Sequence, residues 1–121
     1  MPSTQSESLQ SCIYGKVAFT KQSDNMSIFI LDLEKEELKK IVEDSNQKAF
    51  PAWSPDGRHL AYVSFQDNSS DIYRISENGD GLTQLSQDNY INSSPTWSPD
   101  GRHLAYVSYV NICPKFSTYE T

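Results

Sequence analysis

The side chains best suited to chemistry in this chain of 121 residues come in matched sets. Asp56 stands close before His59, and Asp100 and His103 repeat the arrangement 44 positions later. A carboxylate beside an imidazole is raw material for general acid–base catalysis or metal ligation. The flanking residues favour a different use. Asp56 lies in Ser54-Pro55-Asp56-Gly57 and Asp100 in Ser98-Pro99-Asp100-Gly101. In such a run proline presets φ for the first central position of a turn, aspartate bonds the neighbouring backbone, and glycine accepts left-handed geometry. A turn therefore accounts for both carboxylates, and each histidine reads as the solvated start of a strand with no third partner. Cys12 and Cys113, near opposite ends, read as free thiols without zinc-ligand spacing. Asn78, Asp80 and the acidic loops do not match an EF-hand, and Asx turns explain their composition. The chain holds no nucleophile elbow, P-loop, dinucleotide-binding glycine fingerprint or HExxH site. The expectation is a protein with no catalytic residues, no cofactor and no bound metal.

These pairs belong to a longer identity. WSPDGRHLAYVS occurs from Trp53 to Ser64 and again, unchanged, from Trp97 to Ser108, with Pro51 and Pro95 two residues ahead of each tryptophan. A weaker third phase begins at Gly15, where Val17, Ala18 and Phe19 stand where Leu60, Ala61 and Tyr62 stand later. A fixed period of this size is the signature of a repeat architecture. Each unit reads as four short strands. Residues 49 to 53 are extended, because Pro51 disfavours helical geometry before it. Leu60 to Val63 is apolar at every position, so both faces must be covered. Asp71 to Ser76 alternates with a period near two, and Leu82 to Leu85 form a short outer strand. Residues 33 to 43 (LEKEELKKIVE) carry a competing helical signal, with Glu36 and Lys40 at i, i+4. The repeat phase instead makes Glu34 to Glu37 a hairpin turn and Leu38 to Val42 an outer strand.

Four strands in a unit of about 44 residues suit a propeller blade. PAWSPDGRHLAYVS followed by DIYRISENGDGLTQLS resembles the Trp-Ser-Pro-Asp-Gly repeat of TolB-like β-propellers, which recurs in the propellers of tricorn and prolyl-oligopeptidase-type peptidases. The resemblance runs from Gly15 to about Tyr109. It implies that Trp53, Pro55, Asp56, Gly57, Trp97, Pro99, Asp100 and Gly101 form a structural motif, the tryptophans packing against the adjoining blade. The fold class expected is all-β: an incomplete propeller of four-stranded antiparallel blades. Its parts would be a disordered segment over 1–14, a partial blade over 15–48, a full blade over 49–92, a partial blade over 93–109 and an irregular tail over 110–121. That makes about nine strands, whereas closed propellers have about four to eight blades, and TolB-like ones typically six. The chain then reads as a fragment of a longer propeller protein. Self-association through exposed blade edges and an open stack of blades are the alternatives.

Function is expected from surfaces rather than chemistry. Lys and Arg total 10 against 16 for Asp and Glu, a formal charge of -6, so neither nucleic acid nor an anionic membrane is the expected partner. The longest uninterrupted apolar run, Ile28 to Leu31, is far short of a membrane helix. The N-terminus has no secretory pattern, although the resemblance implies a place outside the cytoplasm. Three Asn-x-Ser motifs, at Asn25, Asn68 and Asn92, fit the glycosylation pattern, which matters only in a secreted chain. The loops Phe65 to Ser70 and Ser86 to Asn92 precede alternate strands and should emerge on one face. They carry Phe65, Asp67, Asn68, Asp88, Asn89 and Tyr90, an aromatic and acidic mixture suited to contact with a protein or peptide. The expected function is a propeller-repeat scaffold or protein-binding module. The alternative is a substrate-gating propeller of a prolyl-oligopeptidase- or tricorn-type peptidase without its catalytic domain.

Overall fold

The structure, a computed structural model, describes residues 11–21, 23–110 and 113–121. It contains three blades, and no helix occurs among the described residues. The first comprises β1 (Ser11–Ile13), β2 (Lys16–Lys21), β3 (Asp24–Asp32) and β4 (Glu37–Glu43). The second comprises β5 (Lys48–Trp53), β6 (His59–Phe65), β7 (Ser70–Ser76) and β8 (Thr83–Gln84). The third comprises β9 (Ile91–Trp97), β10 (His103–Val110) and β11 (Cys113–Glu120). Consecutive strands within each blade pair antiparallel. One parallel bridge, Ser70 to Ile91, links the second blade to the third. The three blades leave the ring open.

Local chemistry explains most of these elements. Tyr14 and Gly15, both at positive φ, make the two-residue turn from β1 to β2. The helical signal over 33–43 loses to a hairpin, in which Asp32 Oδ1 accepts the N–H groups of Glu34 (3.0 Å) and Lys35 (3.1 Å). The two WSPDG turns are built alike. Ser54 Oγ donates to Asp56 Oδ1 (2.6 Å) and accepts from His59 N (3.0 Å), and Asp56 Oδ1 also accepts Arg58 N (3.0 Å). Ser98, Asp100, Arg102 and His103 repeat each bond to within 0.1 Å. Hydrogen bonds from the serine and the following backbone N–H hold both aspartates below the ordinary carboxylate value.

The continuous apolar run in β6 serves both faces of its blade. Leu60 and Tyr62 join Ala18, Ile28 and Ile30 of the first blade, together with Trp53 and Ile75. Ala61 and Val63 join Ile72, Leu85 and, from the third blade, Leu104 and Tyr106. Trp97 Nε1 donates to Ala52 O of the second blade (2.9 Å), whereas Trp53 Nε1 is buried without a partner.

Four expectations need correction. The tail expected to be irregular over 110–121 includes β11, which pairs with β10 from Val110–Cys113 to His103–Glu120. Pro114 is tolerated because β11 is an edge strand, where a missing N–H breaks no ladder. Residues 11–13 of the segment expected to be disordered form β1, and residues 1–10 lie outside the described residues. Eleven strands are therefore described rather than about nine. The fourth concerns residues 49–53, which are not uniformly extended. Phe50 has φ 55° and Ser94, its repeat counterpart, φ 56°, each at a bulge just before a proline.

The duplicated turns provide an internal control. Gly57 and Gly101 both have φ 73°, but a Cβ at Gly57 would come within 3.1 Å of the Tyr14 ring, whereas at Gly101 its nearest neighbour would be Pro55 Cδ at 3.7 Å. Gly101→Ala should cost about 1 kcal/mol through backbone strain alone. Gly57→Ala should cost more, because the Tyr14 ring must also move; equal losses in urea denaturation would contradict this.

Candidate functional site

The connection from β6 to β7 and the segment from Leu85 to Tyr90 converge at Ser70. Its N–H donates to Tyr90 O (3.2 Å), and its backbone bridges to Ile91. The two loops selected from sequence are thus brought together, but their side chains divide into two sets. Asp67, Asn68 and Asn89 are exposed, and Tyr90 is 41% exposed. Phe65 is half-buried and packs on the cluster between the second and third blades. Asp88 is tied into a turn, its Oδ1 accepting Tyr90 N (3.1 Å) and Asn92 Nδ2 (2.8 Å).

Beneath the loops lies a buried polar joint. Asn92, fully buried, donates from Nδ2 to Ser70 O (2.8 Å) and from its backbone N to Ser70 Oγ (2.9 Å), while Ser70 Oγ donates to Asn92 O (2.6 Å). Asn92 Oδ1 accepts Ser108 Oγ, and Ser108 Oγ lies 3.2 Å from Ser117 Oγ. Ser86 Oγ accepts Ile72 N (2.9 Å) and lies 3.1 Å from Asp71 Oδ1 as donor. Burial pushes the Asp71 carboxyl above its ordinary value, against the opposing Ser86 hydrogen bond. The joint fastens β7 to both β9 and β10 and sets where the loops above it stand. Asn92 cannot serve as a glycosylation acceptor in this fold, because its amide is enclosed.

The connection between the first two blades carries an aspartate at the repeat-equivalent place with different chemistry. Asp44 and Lys48 precede Asp88 and Asn92 by 44 residues. Asp44 Oδ1 accepts Asn46 N (2.8 Å), and it accepts Lys48 Nζ, which also donates to Asn46 O (2.6 Å). The Lys48 side chain is wholly buried, whereas that of Asp44 is half exposed. Burial works to raise the Asp44 carboxyl; the Lys48 and Asn46 hydrogen bonds and the lysine charge outweigh it and hold the group below its ordinary value. Sequence reading missed this device. Its signal was the recurrence of Asp44 at Asp88, hidden because the residue four positions on changes from lysine to asparagine.

Two further concavities lie near repeat-equivalent residues. A groove of about 440 Å³ is lined by Thr20 and by the bulges Phe50-Pro51 and Ser94-Pro95. A cleft of about 450 Å³ lies between the WSPDG turns, with Asp56, His59, Arg74 and Asp100 on its walls. The two histidines are not brought into a catalytic pair: His59 opens β6, and His103 Nε2 lies 3.4 Å from Glu120 Oε2 across the β10–β11 ladder. No group of three or more His, Cys, Asp or Glu placed to hold a metal occurs among the described residues. Cys12 is free and exposed; the side chain of Cys113 lies outside the described residues.

Comparison with known proteins agrees with this architecture. The family model described as the TolB beta propeller domain matches residues 9–117. The chain is 37% identical over 66 residues to the Tol-Pal system protein TolB of Hydrogenovibrio crunogenus, an alignment covering 54% of this chain and 15% of that protein. It superposes on the structure of putative TolB from Agrobacterium tumefaciens with a TM-score of 0.82 at 16% identity, covering 95% of this chain and 46% of that one. The tricorn protease matches with a TM-score of 0.65 at 19% identity, over 85% of this chain and 11% of that one. The chain thus spans less than half the length of these proteins.

The paired joints make a prediction with a definite sign. Asp44→Ala leaves the buried Lys48 ammonium without its carboxylate and should cost about 2 kcal/mol, less than a fully buried pair because Asp44 is half exposed. Lys48→Met, which removes the buried charge itself, should cost less. The lowered Asp44 value also means stabilisation that is complete above the ordinary carboxylate value and is lost as pH falls through the lower folded one. Asp44→Ala should therefore flatten the acid limb of stability against pH. A greater loss in Lys48→Met, or an unchanged acid limb, would contradict the assignment.

Proposed function

The chain belongs to the TolB beta propeller domain family, and from that premise we propose that it is a non-catalytic binding module that presents the loops over the second and third blades to a protein partner. The observation that carries this reading is the convergence of those loops at Ser70 on a fully bonded polar joint. Asp67, Asn68, Asn89 and Tyr90 then project from a base that need not reorder on binding, which lowers the entropic cost of association. Tyr90 supplies the aromatic anchor and Asp67 the polar rim. Phe65 and Asp88 support the surface from below rather than belonging to it.

The relatives' name points to the class of partner, a component of the Tol-Pal system. The substrate-gating alternative rests on likeness of fold at 19% identity and has no observation of its own. Titration of the chain onto immobilised, purified Tol-Pal components tests the proposal. The double variant Asp67→Ala, Tyr90→Ala should weaken binding at least tenfold, about 1.4 kcal/mol, with an unchanged circular dichroism spectrum. Affinity indifferent to these side chains, or no binding by the unaltered chain, contradicts it.

A further inference from the structure

The two blade junctions can be compared position by position at the end opposite the loops, where His59 begins β6. The ladders match Lys16 with His59, since Lys16 pairs with Asp32 and His59 with Ser76. They match Ile30 with Arg74, the partners of Ala18 and Ala61. Glu77 matches Thr121, because Glu77 N donates to Arg58 O (3.0 Å) and Thr121 N to Arg102 O (2.6 Å). At the first junction Lys16, Ile30 and Glu77 leave a concavity of only about 80 Å³. Ile30 is buried in the core between the blades. Lys16 Nζ lies 5.1 Å from the centre of the Trp53 ring, donates to Gly57 O (3.1 Å) and pairs with Glu77 Oε1 (2.8 Å). The negative face of an indole attracts an ammonium, so the chain closes this space with its own ammonium and carboxylate.

At the second junction the counterparts His59, Arg74 and Thr121 line the cleft of about 450 Å³, a volume usual for small-molecule sites. The pair is not rebuilt there. Thr121 Oγ1 donates to Gly101 O (2.7 Å), the counterpart of Gly57 O, and no ion pair crosses the cleft among the described residues. Trp97, half-buried on the wall, stands where Trp53 does, and among the described residues no cation lies over its ring. Arg74 replaces a core isoleucine. It is half-buried, and its guanidinium has neither hydrogen bond nor ion pair among the described residues. Such a planar fork of donors is matched best by a carboxylate. Asp56 and Asp100, exposed on the same cleft, disfavour a ligand that is only an anion, and Arg74 disfavours one that is only a cation.

We propose that the cleft between the second and third blades binds a small zwitterion, a free amino acid or short peptide, with its ammonium on the Trp97 ring and its carboxylate on the Arg74 guanidinium. The ligand supplies the two charges that Lys16 and Glu77 supply at the first junction. It bridges the blades as they do, because Arg74 belongs to β7 and Trp97 to β9. The site is separate from the loops over Ser70, which stand at the other end of β6 and β7, and it does not depend on what those loops bind.

Titration of the nitrogen-15-labelled chain with alanine and with dialanine tests this, read by NMR at the Trp97 indole N–H, which donates to Ala52 O (2.9 Å). At least one zwitterion should shift that signal saturably at millimolar concentration; alanine alone assigns an amino acid, and dialanine alone a peptide. Blocking one end of the ligand that binds, by N-acetylation or amidation, should weaken binding about fivefold, and Arg74→Gln about tenfold. Arg74 makes no native bond, so Arg74→Gln should keep the circular dichroism spectrum of the unaltered chain. Arg74→Ile, which installs the residue of the first junction, should abolish the shift without lowering the unfolding temperature. No saturable shift with either zwitterion overturns the proposal. Equal affinity for N-acetyl-dialanine amide, which carries neither charge, also overturns it, and undiminished affinity in Arg74→Gln overturns the carboxylate contact.

Discussion

A sheet with apolar residues on both faces is stable only between two other sheets, and the rest of this molecule follows from that constraint. In the second blade Leu60 and Tyr62 point one way and Ala61 and Val63 the other, and both sets are buried because a blade stands on each side. Blade-to-blade packing therefore supplies most of the apolar burial, and the short strands owe their persistence to neighbours more than to propensity. It also explains how a chain that is only 36% hydrophobic can build three blades: each apolar side chain serves one junction.

Apolar packing sets the spacing of blades but specifies their relative position weakly. That task falls to buried polar joints. Asn92 at one junction bonds Ser70 of the blade before it, and Lys48 at the other is held within the connection that joins its two blades, each oriented by an aspartate four residues earlier. A buried amide or ammonium is tolerated only where all its bonds are made, so each joint accepts one arrangement and penalises others. The Asn92 joint ties together three strands through serine hydroxyls, and the Lys48 one relies on a half-exposed carboxylate. The loops that form the proposed binding surface rise from the Asn92 joint, so their placement derives from the same atoms that hold two blades in register.

Much of this was legible in the sequence, for identifiable reasons. The twelve-residue identity and the Pro-Asp-Gly turns gave blade phase, and phase was strong enough to place β4 where local propensity favoured a helix. Other features were hidden. In β11 the residues CPKFSTYE keep a period near two, but without the Asp-Ile-Tyr pattern and with Pro114 in view they read as irregular; only the edge position makes that proline acceptable. The bulges at Phe50 and Ser94 were hidden because proline excludes one backbone region from its predecessor without saying which other it takes. The polar joints were hidden because Asp44 recurs at Asp88 while the partner it positions changes type. Phe65 and Asp88 looked like surface residues, since nothing local reveals that one packs inward and the other closes a turn.

The arrangement of the second and third blades requires the joint beneath the loops to be part of the core rather than a surface decoration. Native-state amide hydrogen exchange reads this directly at Asn92 and Ile72, whose N–H groups donate to the Ser70 and Ser86 hydroxyls. If the joint is structural, both amides exchange only through global unfolding, with the same free energy as the amides of β6. Exchange at the rate of the exposed Asp67 loop would contradict it.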